Sequence, residues 1–430
     1  MVSRRGGTVS LVLALVERRL LPLCRCRNAV ADQYIRYPYP GAADDIPTWL
    51  RSYNYEFHDS RLYAALFWPE GRPKPNLDIL VAGCGTMQAA VIAFTNPESS
   101  VTGIDFSQTS IAHEERLRER HSLANLTLHQ MDLLEVKNLG KTYDFVLCTG
   151  VLHHMGDPGQ GLRALASVLE PSAGAMVLML YGRAGRIGIY LLQDAFRRMD
   201  ISQTPEGVRA VRNIISHLPP HHPGRRYYEH AAEMSFDAAV VDTFLHRRDQ
   251  AFSVDDLLQL VEGNNLKFQS WLDSFAYNRN LEGLDPNIQD RERWSIVENL
   301  SASIPTHHFI VCRPERYEKT YISFQGDQWL AYFPQRHPTS RPSVFAKEKF
   351  CRASVGGTRE FSLSPEETVL FAEASGKRTI SKIIEHRAFA GKAIQERRLL
   401  AQRFYEQMWR LGHLYFSKVP LKNAKPALAT

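Results

Sequence analysis

The stretch from Leu77 to Asp105 constrains the fold more than any other. It opens on Leu77-Asp78-Ile79-Leu80-Val81-Ala82, an apolar run of strand length. Gly83-Cys84-Gly85-Thr86 follows, then Met87 to Phe94, which reads as the start of a helix. Val101-Thr102-Gly103-Ile104 is a second apolar stretch, and it ends on Asp105. Strand, glycine turn, helix, strand and acid make one βαβ unit able to hold a nucleoside. Gly83 permits a backbone angle closed to other residues, and Gly85 lets the main chain approach a ligand. The helix start beyond them offers unpaired N–H groups to a carboxylate or phosphate. Asp105 stands about twenty residues on, where an acid can accept from both ribose hydroxyls.

A dinucleotide site asks for G-x-G-x-x-G. Gln88 stands at the third glycine, which weakens a pyrophosphate reading and with it a nucleotide-dependent oxidoreductase. Downstream, strands and helices alternate. Ser107 caps a helix through His121, with Ile111 and Leu117 facing inward. Leu126–Gln130 reads as a third strand, Tyr143–Cys148 as a fourth, Gly161–Leu169 as a helix and Ala175–Tyr181 as a fifth, central strand. Leu266–Phe275 and His307–Cys312 supply a sixth and a seventh. The pattern predicts an α/β fold, a mostly parallel sheet with helices on both faces.

The 430 residues leave room for further parts. Residues 1–33 read as an extension, with a targeting segment left open because arginines flank the short apolar run Leu11–Val16. Residues 34–75 are a tyrosine-rich lead-in, in which Tyr34, Tyr37 and Tyr39 either line a lid or pack onto the core. Residues 183–250 read as a helical insertion. Its His217, His221, His222 and His230 lie in a proline-punctuated loop without the ligand spacing of a metal site, and none is assigned. Ala276–Pro305 reads as an oversized loop, residues 317–350 as a linker and residues 351–430 as a small, mainly helical module.

The net charge of +6 is mild for this length. The six cysteines, Cys24, Cys26, Cys84, Cys148, Cys312 and Cys351, form no C-x-x-C pair. Free thiols suit a reducing, cytoplasmic setting. No apolar run is long enough to span a bilayer. The basic C-terminal residues read as a solvated helix face rather than a nucleic-acid surface.

Four separated fragments carry a resemblance. Val-Ala-Gly-Cys-Gly-Thr at residues 81–86 resembles motif I of the class I, Rossmann-like S-adenosylmethionine (SAM)-dependent methyltransferases. Asp105-Phe106-Ser107 is similar to the second motif, and Asp132-Leu133 to the acid and its neighbour that meet the adenine. Tyr143 to His154, read "fDxvLCTGVLHH", followed by Asp157-Pro158 and "vLeP…G", resembles motifs IV and V. Two departures stand out: Ala82 replaces an acid late in the first strand, and Met87 replaces a glycine of motif I. The resemblance implies a seven-stranded sheet whose last two strands pair antiparallel. It implies SAM as cofactor, held by Ala82, Gly83, Cys84, Gly85, Thr86, Asp105, Phe106, Ser107, Asp132, Leu133, Thr149 and Gly150. It places His153 and His154 beside the methyl group, with His154 the candidate base and Tyr181 a pocket wall. The C-terminal order of helix, Gly376-Lys377-Arg378-Thr379-Ile380 turn, helix, long helix and strand resembles winged-helix-like modules that follow some bacterial methyltransferases or bind peptides. A protein or peptide partner through that module follows as an expectation. The methyl acceptor, a small metabolite or a protein side chain, is not written in any motif. A SAM-binding adaptor without catalysis is the alternative.

Overall fold

A computed structural model describes residues 32–39, 41, 44–52, 58–279, 283–285, 288–342, 349–354 and 357–421. Its centre is a sheet of seven principal strands in the order β3-β2-β1-β4-β5-β8-β7. These are β1 (Asp78–Ala82), β2 (Ser100–Asp105), β3 (Leu126–Gln130), β4 (Phe145–Thr149), β5 (Ala175–Gly182), β7 (Lys267–Trp271) and β8 (Thr306–Cys312). The first five run parallel, while β8 lies antiparallel to both β5 and β7. A two-residue strand, β6 (Ala251–Phe252), extends the end of β5.

The side-chain alternation of these strands separates two cores. Ile79 and Val81 of β1, Phe145 and Leu147 of β4, and Ala175 and Val177 of β5 belong to one cluster. Leu80 and Ala82, Val146 and Cys148, and Met176, Leu178 and Leu180 belong to the other. Helix α1 (Gln88–Thr95) covers the first face with Ala89, Ala90, Val91 and Ile92. On the second face lie Leu162 and Leu165 of α3 (Pro158–Val168), and Leu257 and Leu258 of α8 (Val254–Glu262). A strand apolar on both faces must be covered on both, which is why an uninterrupted run such as Ile79–Ala82 lies mid-sheet. Strand order reverses between β1 and β4, and ligands of such sheets sit at the carboxyl ends beside that reversal.

The insertion folds as four helices, α4 (Ile187–Arg198), α5 (Pro205–His217), α6 (Pro223–His230) and α7 (Asp237–Phe244). They enclose a core of their own around Phe196, Val211, Ile215 and Phe244, against which Tyr37 and Tyr39 pack. Three of its histidines serve their own helices. His217 and His230 meet the Asn213 and Arg226 carbonyls, and His222 Nδ1 accepts from Gly224 N–H.

Three expectations are corrected. Residues 1–31 lie outside the described residues, but Gln33, placed in the extension, is buried and lies in the helix 32–36. Ala276–Pro305 is not one loop, since it holds helix α9 (Asp290–Ser301). Residues 317–350 are not a linker. Trp329 and Tyr332 lie in the C-terminal core, and β9 (Phe333–Arg336) and β10 (Ser340–Pro342) are strands. The C-terminal part has helices α10 (Pro365–Glu373) and α11 (Ile394–Arg410), and strands accompany them. β10 joins β11 (Lys349–Ser354) and β12 (Gly357–Ser362), while β9 pairs with β13 (Leu414–Ser417). Of the cysteines, Cys84, Cys148 and Cys312 are buried free thiols, and Cys24 and Cys26 lie outside the described residues.

Candidate active site

The turn after β1 is built from the glycines as expected. Gly83 has φ +70 and Gly85 φ +59, in the left-handed region. A Cβ on Gly83 would stand 2.2 Å from Val151 Cγ2, so the turn after β4 presses directly on the turn after β1. The close helix–strand approach usually given to a third motif glycine is supplied from β2. A Cβ on Gly103 would stand 2.7 Å from the Ala89 Cβ of α1.

At the end of β2, Asp105 faces this turn. Gly85 N–H donates to its Oδ2 (2.9 Å) and Ser107 N–H to its Oδ1 (2.8 Å). Burial raises its carboxyl above the usual range, against those two bonds. Each oxygen keeps a further lone pair for a hydroxyl. Beside this acid, itself 8% exposed, the Phe106 ring is 41% exposed. Ser107 caps α2 (Gln108–Arg120). At the end of β3, Asp132 accepts from Leu134 N–H (2.8 Å) and Leu133 is buried. At the end of β4, Thr149 exchanges hydrogen bonds with Gln88 (2.9 and 3.2 Å), and Gly150 follows with φ +79. The structure thus brings Ala82, Gly83, Cys84, Gly85, Thr86, Asp105, Phe106, Ser107, Asp132, Leu133, Thr149 and Gly150 to one edge of the sheet. Gln88, which ties the first turn to β4, was missed because it was read only as an absent glycine.

The donor set suits a ribosyl adenine: a buried acid for a diol, an exposed ring for a base face, and an acid at the next strand end. One expectation fails. The first-turn N–H groups of α1 are not open to a ligand, because Ala89 and Ala90 already donate to Glu114.

Next to this edge lies a cluster of rings. His153 is fully buried and stacks on Tyr181 (3.7 Å between ring centroids). Burial, then the charges of His154, Arg186 and His246, keep it neutral, with its pKa well below the ordinary range. His154 is 9% exposed and stacks on His246 at 4.0 Å. The backbone of Arg248 sets both tautomers. Its carbonyl meets His154 Nδ1 (3.1 Å), and its N–H donates to His246 Nδ1 (3.0 Å). Neutral His154 therefore carries its proton on Nδ1 and its lone pair on Nε2, and neutral His246 the reverse. Asp242 receives the hydroxyls of Tyr34 (2.9 Å) and Tyr181 (3.2 Å). The polar atoms of His154, Asp242 and His246 come within 4.8 Å of one another. With both Nδ1 atoms engaged by the Arg248 backbone and Asp242 engaged by two tyrosine hydroxyls, we read a hydrogen-bonded wall. Asp242 and His246 gave no sequence signal, because they lie in a helix and loop far along the chain from His154.

A family model described as a methyltransferase domain matches residues 80–175. An uncharacterised protein of Synechococcus sp. is 31% identical over 309 residues, spanning 66% of this chain and 72% of that protein. The chain belongs to the SAM-dependent methyltransferase family. Among solved structures, this methyltransferase is similar to PKMT2 from Rickettsia typhi in complex with AdoHcy. The TM-score is 0.61 at 13% identity, over 88% of this chain and 77% of that one, a likeness of fold. A second structure of PKMT2 from Rickettsia typhi gives 0.60 at 14% identity over 85% and 76%. Among the described residues, no helix of the methyltransferase is long and apolar enough to cross a membrane.

Proposed function

We propose that the methyltransferase holds SAM across the ends of β1, β2, β3 and β4, and methylates an acceptor bound between His154 and the insertion. The observation that carries this reading is Asp105, fixed by Gly85 N–H and Ser107 N–H beside the exposed Phe106 ring. When bound, SAM supplies an activated methyl group for in-line displacement. The chain's own residues then align the acceptor and exclude water. Tyr34 lies edge-on to both Phe106 (6.2 Å) and His154 (6.4 Å), so the lead-in closes over the two halves of the crevice. His154 Nε2 is the atom able to take a proton from an oxygen or nitrogen nucleophile. His153, enclosed beneath Tyr181, packs the floor instead.

The acceptor is a small metabolite or a protein side chain. Incubation of the protein with SAM labelled in the methyl group and fractionated extract tests both. Label in a polypeptide or in a low-molecular-weight fraction supports transfer and assigns the class. Binding of S-adenosylhomocysteine with no labelled fraction would instead favour a SAM-binding adaptor.

A further inference from the structure

Helix α2 turns Ser110, His113, Glu114 and Leu117 inward. Two polar residues in mid-helix, on the buried face, are unexpected for a helix packed on a sheet. Both reach the cofactor turn. His113 Nδ1 meets the Thr86 carbonyl at 2.6 Å. Glu114, 0% exposed, accepts from Ala89 N–H at Oε1 and from Ala90 N–H at Oε2, each at 2.9 Å. The Cys84 thiol shares a hydrogen bond with the same carboxyl. The groups Glu114 holds therefore lie on both sides of Gly85 and Thr86.

The start of α1 explains the arrangement. First-turn donors are ordinarily met by a side chain at the N-cap. Met87 stands there and makes no side-chain cap. Glu114 meets those donors from another helix, one that begins just after Asp105. The start of α1 is thereby fixed relative to the acid that faces it, and not only relative to its own turn.

We infer that Glu114 is a positioning residue for the cofactor: it holds residues 84–90 in the shape that lets Gly85 and Asp105 receive the nucleoside together. This rests on the cofactor reading above. A glutamine at this position keeps one acceptor but sets an NH₂ group against a backbone donor. Loss of one such buried bond weakens binding by about tenfold.

The test is calorimetric titration of the full chain with S-adenosylhomocysteine, comparing wild type, Glu114→Gln, Glu114→Asp and, as a control on the exposed neighbour, Glu115→Gln. Glu114→Asp keeps the carboxyl and shortens the reach, so either Glu114 variant that folds will serve. The expected result is a Kd raised about tenfold for the Glu114 variants with stoichiometry held near that of the wild type, and no change for Glu115→Gln. A structural role alone would lower the stoichiometry by losing folded protein and leave Kd where it was. That result, or unchanged Kd and stoichiometry, overturns the inference. Failure of the wild type itself to bind would instead sink the cofactor reading beneath it.

Discussion

At the scale of single residues, the site divides into groups that meet a ligand and groups that shape it. Asp105 belongs to the first kind. Asp105→Ala should weaken S-adenosylhomocysteine by on the order of a hundredfold, since bonds to an ionised acceptor are the strong ones; a change under threefold would place the ribose elsewhere. His154 should behave differently. His154→Gln is expected to lower methyl transfer by about a hundredfold or more while leaving that affinity unchanged. Glu114 also makes a prediction about stability. Burial lifts its carboxyl from 4.5 to about 8. The native chain then holds a proton that the unfolded chain releases throughout that window. This group's contribution to stability falls as pH rises from about 4.5 to about 8, and is level above it. The melting temperature of the wild type should therefore decline over that range more steeply than that of Glu114→Gln. Parallel profiles would show that the carboxyl is not buried as described. Asp105 and the Gly83–Thr86 turn were legible in the sequence because local geometry demands those residue types at those spacings. Glu114 was not, because an acid at mid-helix reads as solvated unless the partner element is known.

Among elements, β1, β4 and β5 were readable because a strand covered on both faces leaves an unbroken apolar run. Helix α9 was missed because it buries little more than Val297 and Glu298, too little to mark a stripe. Strand β9 was missed because Pro334 reads as a breaker. In a two-stranded ribbon both strands are edges, and a proline there need not remove a ladder bond. The lead-in is the element with a functional consequence. Its Tyr34 hydroxyl and Gln33 amide both reach Asp242 (2.9 and 3.5 Å), and Gln33 also receives the Gln203 amide (2.6 Å). Asp242 thus fastens residues 32–39 to both the insertion and, through Tyr181, the sheet. Asp242→Ala should raise amide hydrogen exchange across residues 32–39 at least about tenfold, one lost charged bond's worth, with the strands unaffected. Unchanged exchange in that segment would mean that Tyr34 is held by its ring contacts alone.

For the molecule as a whole, the question is whether the C-terminal body is a separate module. Its composition suggested one, with prolines at 334, 338 and 342 marking a boundary. The contacts argue otherwise. Tyr415 of β13 belongs to the core cluster of the methyltransferase sheet and lies beside Tyr63. Gln335 donates to the Leu62 carbonyl (3.2 Å), and Lys418 N–H to that of Pro69 (2.6 Å). Just before the body begins, Arg316 is 0% exposed and binds Glu70 (2.6 Å) together with the Gly174 and Phe67 carbonyls. The lead-in segment near Tyr63–Glu70 is therefore held between the sheet and the C-terminal body. Burial of one large apolar side chain stabilises by roughly 1.5–3 kcal/mol, so removing Tyr415 and its neighbours would leave this seam exposed at a loss of several such contributions. Scanning calorimetry of the full chain should show one cooperative transition. Deletion of residues 322–430 should lower the melting temperature by several degrees or leave the protein insoluble. Two resolved transitions, with the truncated chain melting at the temperature of one of them, would establish two independent bodies and reduce the seam to a surface contact.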